Sequence, residues 1–182
     1  MLNRSVARRY AEAFFSIARE QKKIDQFQME LEKIVQEIHN IKYLKEYFDH
    51  LLIPAKKKKE LARKIFAKQI SPMTLNFLCM IIDKRRESYF EVIYNEYVLM
   101  ADESRGIKKA ELTAASEIPD EELVTLTEKL SAASGKIVQL KVTVDPSLLG
   151  GIKIRMGDQI IDGTVAKKLE MLKSELKHAK IS

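Results

Sequence analysis

The period of the apolar residues changes once along this chain, near Gly106, and that change decides what the chain can fold into. Before Gly106 the spacing is helical throughout. Val6, Tyr10, Phe14 and Ile17 fall at i, i+4, i+8 and i+11, and Ala7, Ala11 and Ala18 widen the same stripe. A second helix is expected over Ile24 to His39, with Phe27, Leu31, Ile34, Val35 and Ile38 inward. A short third covers Tyr43, Leu44, Tyr47 and Phe48 and ends before Pro54; the fourth carries Leu61, Ile65 and Phe66. The fifth begins with Ser71 as N-cap and Pro72 at the first helical position, where a missing N–H costs nothing. The sixth starts near Glu87, turns Phe90, Ile93, Tyr94, Tyr97 and Val98 inward, and stops at Gly106. Six helices with short connections imply an antiparallel bundle.

After Gly106 the pattern turns to alternation. KKAELTAA reads as a strand, and PDEELVTLTEKLSAASG as a helix with acids in its first turn and Gly135 at its end. Val138, Leu140, Val142 and Val144 then alternate as a strand with one buried face does. Gly157-Asp158 between IKIRM and QII is a two-residue hairpin signal. Centred there, the register sets Ile154 opposite Ile161 and Lys153 opposite Asp162. Thr164 caps a last helix expected to turn Val165, Leu169, Leu172 and Leu176 inward. The fold class is therefore α+β: a six-helix bundle over residues 1–105, then over residues 106–182 a small α/β module with a mixed sheet and a β-hairpin.

Charge is divided unevenly between these halves. Up to Arg105 there are 20 basic and 15 acidic residues; beyond it there are 12 and 11. A partner drawn by charge should meet the first half. The single cysteine, Cys79, permits no intrachain disulfide and fits a reducing compartment. The start, MLNRSVARRYAEAFF, faintly imitates a mitochondrial transit peptide, but Glu12 interrupts it and the helical pattern runs on through Ala18; a secretory signal is not expected either. The longest uncharged stretch, QISPMTLNFLCMII at residues 69–82, is too short for a bilayer span and reads as a buried helix.

Chemistry finds few footholds. Gly150, Gly151, Gly157 and Gly163 match neither phosphate-loop template, and each has a backbone task in a turn or close approach. Asp145, Asp158 and Asp162 lack the spacing of a calcium loop, and Asp145-Pro146 initiates a turn. His39, His50 and His178 are scattered, and Cys79 has no base beside it. No catalytic residue, metal ligand or cofactor is expected. The run Lys56 to Lys59 spreads round a helix instead of forming one patch and reads as a solvated helix end, with Lys57 and Lys58 able to lie along the apolar face. With pI near 9.2 it also motivates an alternative: a basic nucleic-acid or ribosome-associated adaptor.

The stretch from Asp145 to Leu169 goes further. Asp145-Pro-Ser-Leu-Leu-Gly150-Gly151-Ile-Lys-Ile, then Gly157-Asp158, then Ile161-Asp162-Gly163-Thr164-Val165 with Leu169, resembles the signature of the F-type ATP synthase delta subunit, whose mitochondrial counterpart is the oligomycin-sensitivity-conferring protein. Ala7-Arg8-Arg9-Tyr10-Ala11-Glu12-Ala13-Phe14 looks like that family's first helix. Asn76-Phe77-Leu78 with Asp83-Lys84-Arg85-Arg86 resembles its fifth helix and following turn. Ile118-Pro119 departs mildly, since serine or threonine commonly caps the helix there.

The resemblance implies a stator part without an active site, small-molecule substrate or nucleic-acid partner. It would tie the crown of the catalytic head to the peripheral stalk, peripheral to the cytoplasmic face of the bacterial plasma membrane through the complex. N-terminal segments of alpha subunits would meet the helical domain, and the C-terminal ends of the b subunits the second. Helices one and five are apolar nearly all round, which fits a central place in the bundle; the resemblance implies instead a groove for an alpha-subunit helix. Its expected contacts are Tyr10, Ala13, Phe14, Phe15, Phe77, Leu78 and Ile81. Asp145, Gly150, Gly151, Gly157, Asp162, Gly163 and Thr164 are then structural, building a docking module.

Overall fold

A computed structural model describes residues 4–157 and 159–179. The chain divides into two compact units, Met1–Ser104 and Arg105–Ser182. The first holds α1 (Arg4–Glu20), α2 (Ile24–Asn40), α3 (Lys42–Asp49), α4 (Ala55–Phe66), α5 (Pro72–Asp83) and α6 (Phe90–Ser104), with one 3₁₀ turn, Glu87–Tyr89, before α6.

Within α1 the buried residues are Ala7, Ala11, Phe14 and Ala18, while Val6, Tyr10 and Ile17 are half-buried. The stripe is thus rotated toward the alanines. Their small side chains let the α1 backbone lie close against α6, its main neighbour. Phe14 anchors the core: its ring stacks on Phe77 (centroids 4.1 Å apart) and on Phe27 (5.1 Å). Tyr97 is wholly buried and donates its hydroxyl to the Ile24 carbonyl at 3.1 Å. Ser71 caps α5 as expected, accepting from the Thr74 N–H. Both hydroxyls also donate to Glu30 of α2, which receives Gln26 at 2.8 Å as well.

The fourth helix corrects an expectation. Lys58, Ala62 and Phe66 form its buried stripe, so Lys58 is no part of a solvated end. Its ammonium donates to the Phe48 carbonyl at the end of α3 and pairs with Glu87 at 2.8 Å. Lys59 pairs with Asp83 at 2.6 Å. Two of the four lysines are therefore consumed in bracing the bundle.

The second unit holds β1 (Ile107–Ala114), α7 (Asp120–Ser134), β2 (Ile137–Val144), β3 (Ile152–Met156), β4 (Gln159–Asp162) and α8 (Val165–Ala179). The sheet order is β2-β1-β3-β4, with β1 parallel to β2 and antiparallel to β3. Ile154 faces Ile161 and Lys153 faces Asp162 across the hairpin, the register the turn position requires. Gly135 ends α7 in the left-handed conformation at φ 65°. No side chain caps the start of α7 after Pro119; Asp120, Glu121 and Glu122 answer the helix dipole instead.

The core of this unit is small: Ala110, Leu112, Leu130, Val138, Ile154 and Met156. Two expectations are corrected here. Only Val138 of the alternating residues in β2 is fully buried, while Val142 and Val144 are 38% and 42% exposed. In α8, Val165, Leu169 and Leu172 also face solvent, at 41%, 56% and 54%; the Leu176 side chain lies outside the described residues. The helix α7 packs on β2 and sends Leu130 into this core.

Candidate docking surfaces

A groove of about 240 Å³ runs between α1 and α5 of the helical unit, lined by Ala13, Phe14, Ile17, Met73, Asn76, Phe77 and Met80. The first helix contributes because its alanine-rich stripe turns into the core and leaves Ala13 outside. The fifth contributes because Met73, Asn76, Phe77 and Met80 share one stripe at spacings of three and four. Met73 and Met80 are more than one-third exposed, and their unbranched thioethers can adapt to an incoming apolar side chain.

Of the seven expected contacts, the structure brings Ala13, Phe14 and Phe77 to this groove. The other four do not line it. Leu78 and Ile81 are core residues, 3% and 0% exposed. Phe15 turns edge-on to Tyr97, its centroid 5.6 Å away, and Tyr10 packs against the core. Ile17, Met73, Asn76 and Met80 were not singled out as contacts, although the methionines seven residues apart marked the outer stripe.

In the second unit, the glycine-rich signature ties backbone to backbone. Gly151 sits at φ +84°, and a Cβ there would lie 2.5 Å from the Gly163 carbonyl oxygen and 2.9 Å from Thr164 Cα. Gly163 donates its N–H to Ile152 at 2.9 Å, and Val165 donates to the Gly150 carbonyl at 3.0 Å. Asp162 accepts from the Thr164 hydroxyl at 2.7 Å and its N–H at 3.0 Å. Those two bonds, aided by Lys153 and Lys167, hold its carboxyl below the usual range. Thr164 in turn accepts from the Lys167 N–H at 3.3 Å, capping α8. Asp145 accepts from Ser147, side chain and N–H, which lowers its pKa in the same way. These residues close a turn, aim the hairpin and start a helix. Gly157 shapes the hairpin turn at φ 64°.

Around that scaffold the second unit leaves apolar surface open. Shallow grooves flank α7 on both sides, one over Leu140 and Val142 and one over Ile118, Leu126 and Ile152. Ile160 and Ile161 on β4 are 56% and 51% exposed, as are the outward residues of α8. Among the described residues no group of three or more His, Cys, Asp or Glu is placed to hold a metal, and no helix is long and apolar enough to cross a membrane.

Two units with separate cores each leave apolar surface open, and in the second unit glycines sit where backbone meets backbone. The chain belongs to the ATP synthase delta (OSCP) subunit family, whose model matches residues 6–176. It is 64% identical over 182 residues to the ATP synthase subunit delta of Syntrophomonas wolfei subsp. wolfei, covering 100% of both chains. It is 36% identical over 181 residues to that of Desulforudis audaxviator, again covering 100% of both. A chain of the Toxoplasma gondii mitochondrial ATP synthase hexamer shares its fold, with a TM-score of 0.72 at 17% identity, over 93% of this chain and 96% of that one.

Proposed function

We propose that this chain is a stator part of a bacterial F-type ATP synthase, tying the crown of the catalytic head to the b subunits of the peripheral stalk. It resists rotor torque, so that proton transport stays coupled to ATP synthesis, and it contributes no catalysis of its own. The observation that carries this reading is 64% identity along the full length of an ATP synthase subunit delta. The division of labour follows the two units. The α1–α5 groove receives an amphipathic segment of an alpha subunit, and the uncovered apolar surface of residues 106–182 receives the C-terminal ends of the b subunits. The chain sits at the cytoplasmic face of the plasma membrane, held there through the complex.

Ala13→Asp tests the first contact. Ala13 is exposed at the groove wall, so the variant should melt like the parent, while an unpaired carboxylate facing an apolar partner should weaken alpha-peptide binding by about 1–3 kcal/mol. Titration of an alpha N-terminal peptide and thermal melting on the same sample decide it. Unchanged peptide affinity moves the contact elsewhere.

A further inference from the structure

The connection between α3 and α4 presents two neighbouring leucines to water: Leu51 is 84% exposed and Leu52 86%. The backbone that carries them is tied down. Arg85 Nη1 donates to the carbonyls of Leu51 at 3.0 Å and Ile53 at 3.3 Å. The Leu52 N–H donates to His50 Nδ1 at 3.3 Å. Just before the turn, buried Lys58 holds the Phe48 carbonyl. Arg85 does this from left-handed backbone, φ 55°, a conformation that disfavours any residue with a Cβ. A braced turn that offers its largest apolar side chains to solvent has lost in advance the freedom that docking would otherwise remove. The flanking helix ends and the Arg85 turn carry a cationic excess: Lys42, Lys45, Lys56, Lys57, Lys84 and Arg85 are exposed, against Glu46, Asp49, Glu60 and Asp83.

We propose that residues 50–53 form a rigid apolar knob by which the helical unit docks into a carboxylate-rimmed apolar notch on the catalytic head, apart from the α1–α5 groove. An apolar centre inside a charged rim is the anatomy of a protein interface. Two leucines bury too little area to hold a lipid surface, and they give nucleic-acid bases nothing to stack on. The proposal rests on the stator reading in naming the head as the bearer of the notch.

The test titrates full-length chain onto catalytic head stripped of this subunit, with phosphatidylglycerol vesicles as a second probe. Leu51→Ser/Leu52→Ser changes only exposed side chains, so it should melt like the parent and lose at least about tenfold in affinity for the head. Lys56→Glu/Lys57→Glu should weaken binding most at low salt. Arg85→Gly suits the left-handed backbone but frees the turn; affinity should fall with no loss of melting temperature. Head affinity unchanged in the leucine variant, while Ala13→Asp still weakens it, overturns the knob and leaves the stator reading standing. Leucine-dependent vesicle binding with unchanged head affinity overturns it in favour of lipid. A parent chain that fails to bind the head at all overturns the stator reading, and the knob's partner with it.

Discussion

Glu30 and Lys58 carry charge into the helical unit and are held there differently. Burial pushes the Glu30 carboxyl up, but hydrogen bonds from Thr74, Ser71 and Gln26 together outweigh it and set its pKa below the ordinary 4.5. A lowered folded pKa means that this contribution to stability is complete above the unfolded value and is lost as pH falls through the folded one. Melting of the wild-type chain should therefore weaken as pH falls below about 4.5, and Glu30→Gln should flatten that part of the curve. Equal slopes for the two chains would show that other carboxylates set the acid limit. Lys58 is 2% exposed and its partner Glu87 9%. Lys58→Met should destabilise by about 3–5 kcal/mol, because it strands Glu87, and adding Glu87→Gln should recover part of the loss. Denaturant titration of the single and double variants measures both. The role of Lys58 was half legible: Lys58, Ala62 and Phe66 fall at i, i+4 and i+8, yet a run of four identical lysines has nothing to mark the one that turns inward.

Among the elements, the hairpin and the glycine-rich turn separate two kinds of constraint. Gly157 has open space around its missing Cβ but sits at φ +64°, so substitution strains only the backbone. Gly151 combines φ +84° with a carbonyl oxygen where a Cβ would go. Gly157→Val should weaken the second unit by about 1–3 kcal/mol, and Gly151→Ala by more, since the contact at Gly163 is backbone and cannot swing aside. Chemical denaturation followed by a probe in residues 106–182 ranks them; a milder effect at Gly151 would mean that the turn relaxes. The hairpin register, the Ser71 cap and the stops at Gly106 and Gly135 were readable because each depends on local chemistry. The outward face of α8 was not: Leu169 and Leu172 keep helical spacing whether the covering surface belongs to this chain or to another. The same ambiguity hid how far the α1 stripe rotates onto Ala7, Ala11 and Ala18, leaving Val6, Tyr10 and Ile17 half-buried.

For the whole molecule, the distribution of core residues matters most. Every member of the first core lies between Ala7 and Ala101, and every buried member of the second between Ala110 and Met156. A fragment of residues 1–105 should therefore melt as one cooperative unit, since its apolar stripes satisfy one another. A broad transition for that fragment, seen by calorimetry, would place the boundary elsewhere. Among the described residues the second unit's core cluster has six buried side chains beside much exposed apolar surface, so its stability should lean on whatever covers it.

The position of β1 bears on load. It leaves Gly106 directly and is bonded on both edges, in register with β2 from Ile107 to Ala114 and with β3 from Glu111 to Ala114. The Ile137 N–H on Gly106 and the Asp145 N–H on Ala114, each at 2.8 Å, extend the parallel ladder at its two ends. Tension applied along β1 from Gly106 would load its ladders with β2 and β3 in shear, so that many hydrogen bonds must give way together. Peeling the outer strand β4 would instead break them one after another. For a chain strung between a turning machine and its anchor, a pull in that direction would meet the sheet's stiffer mode.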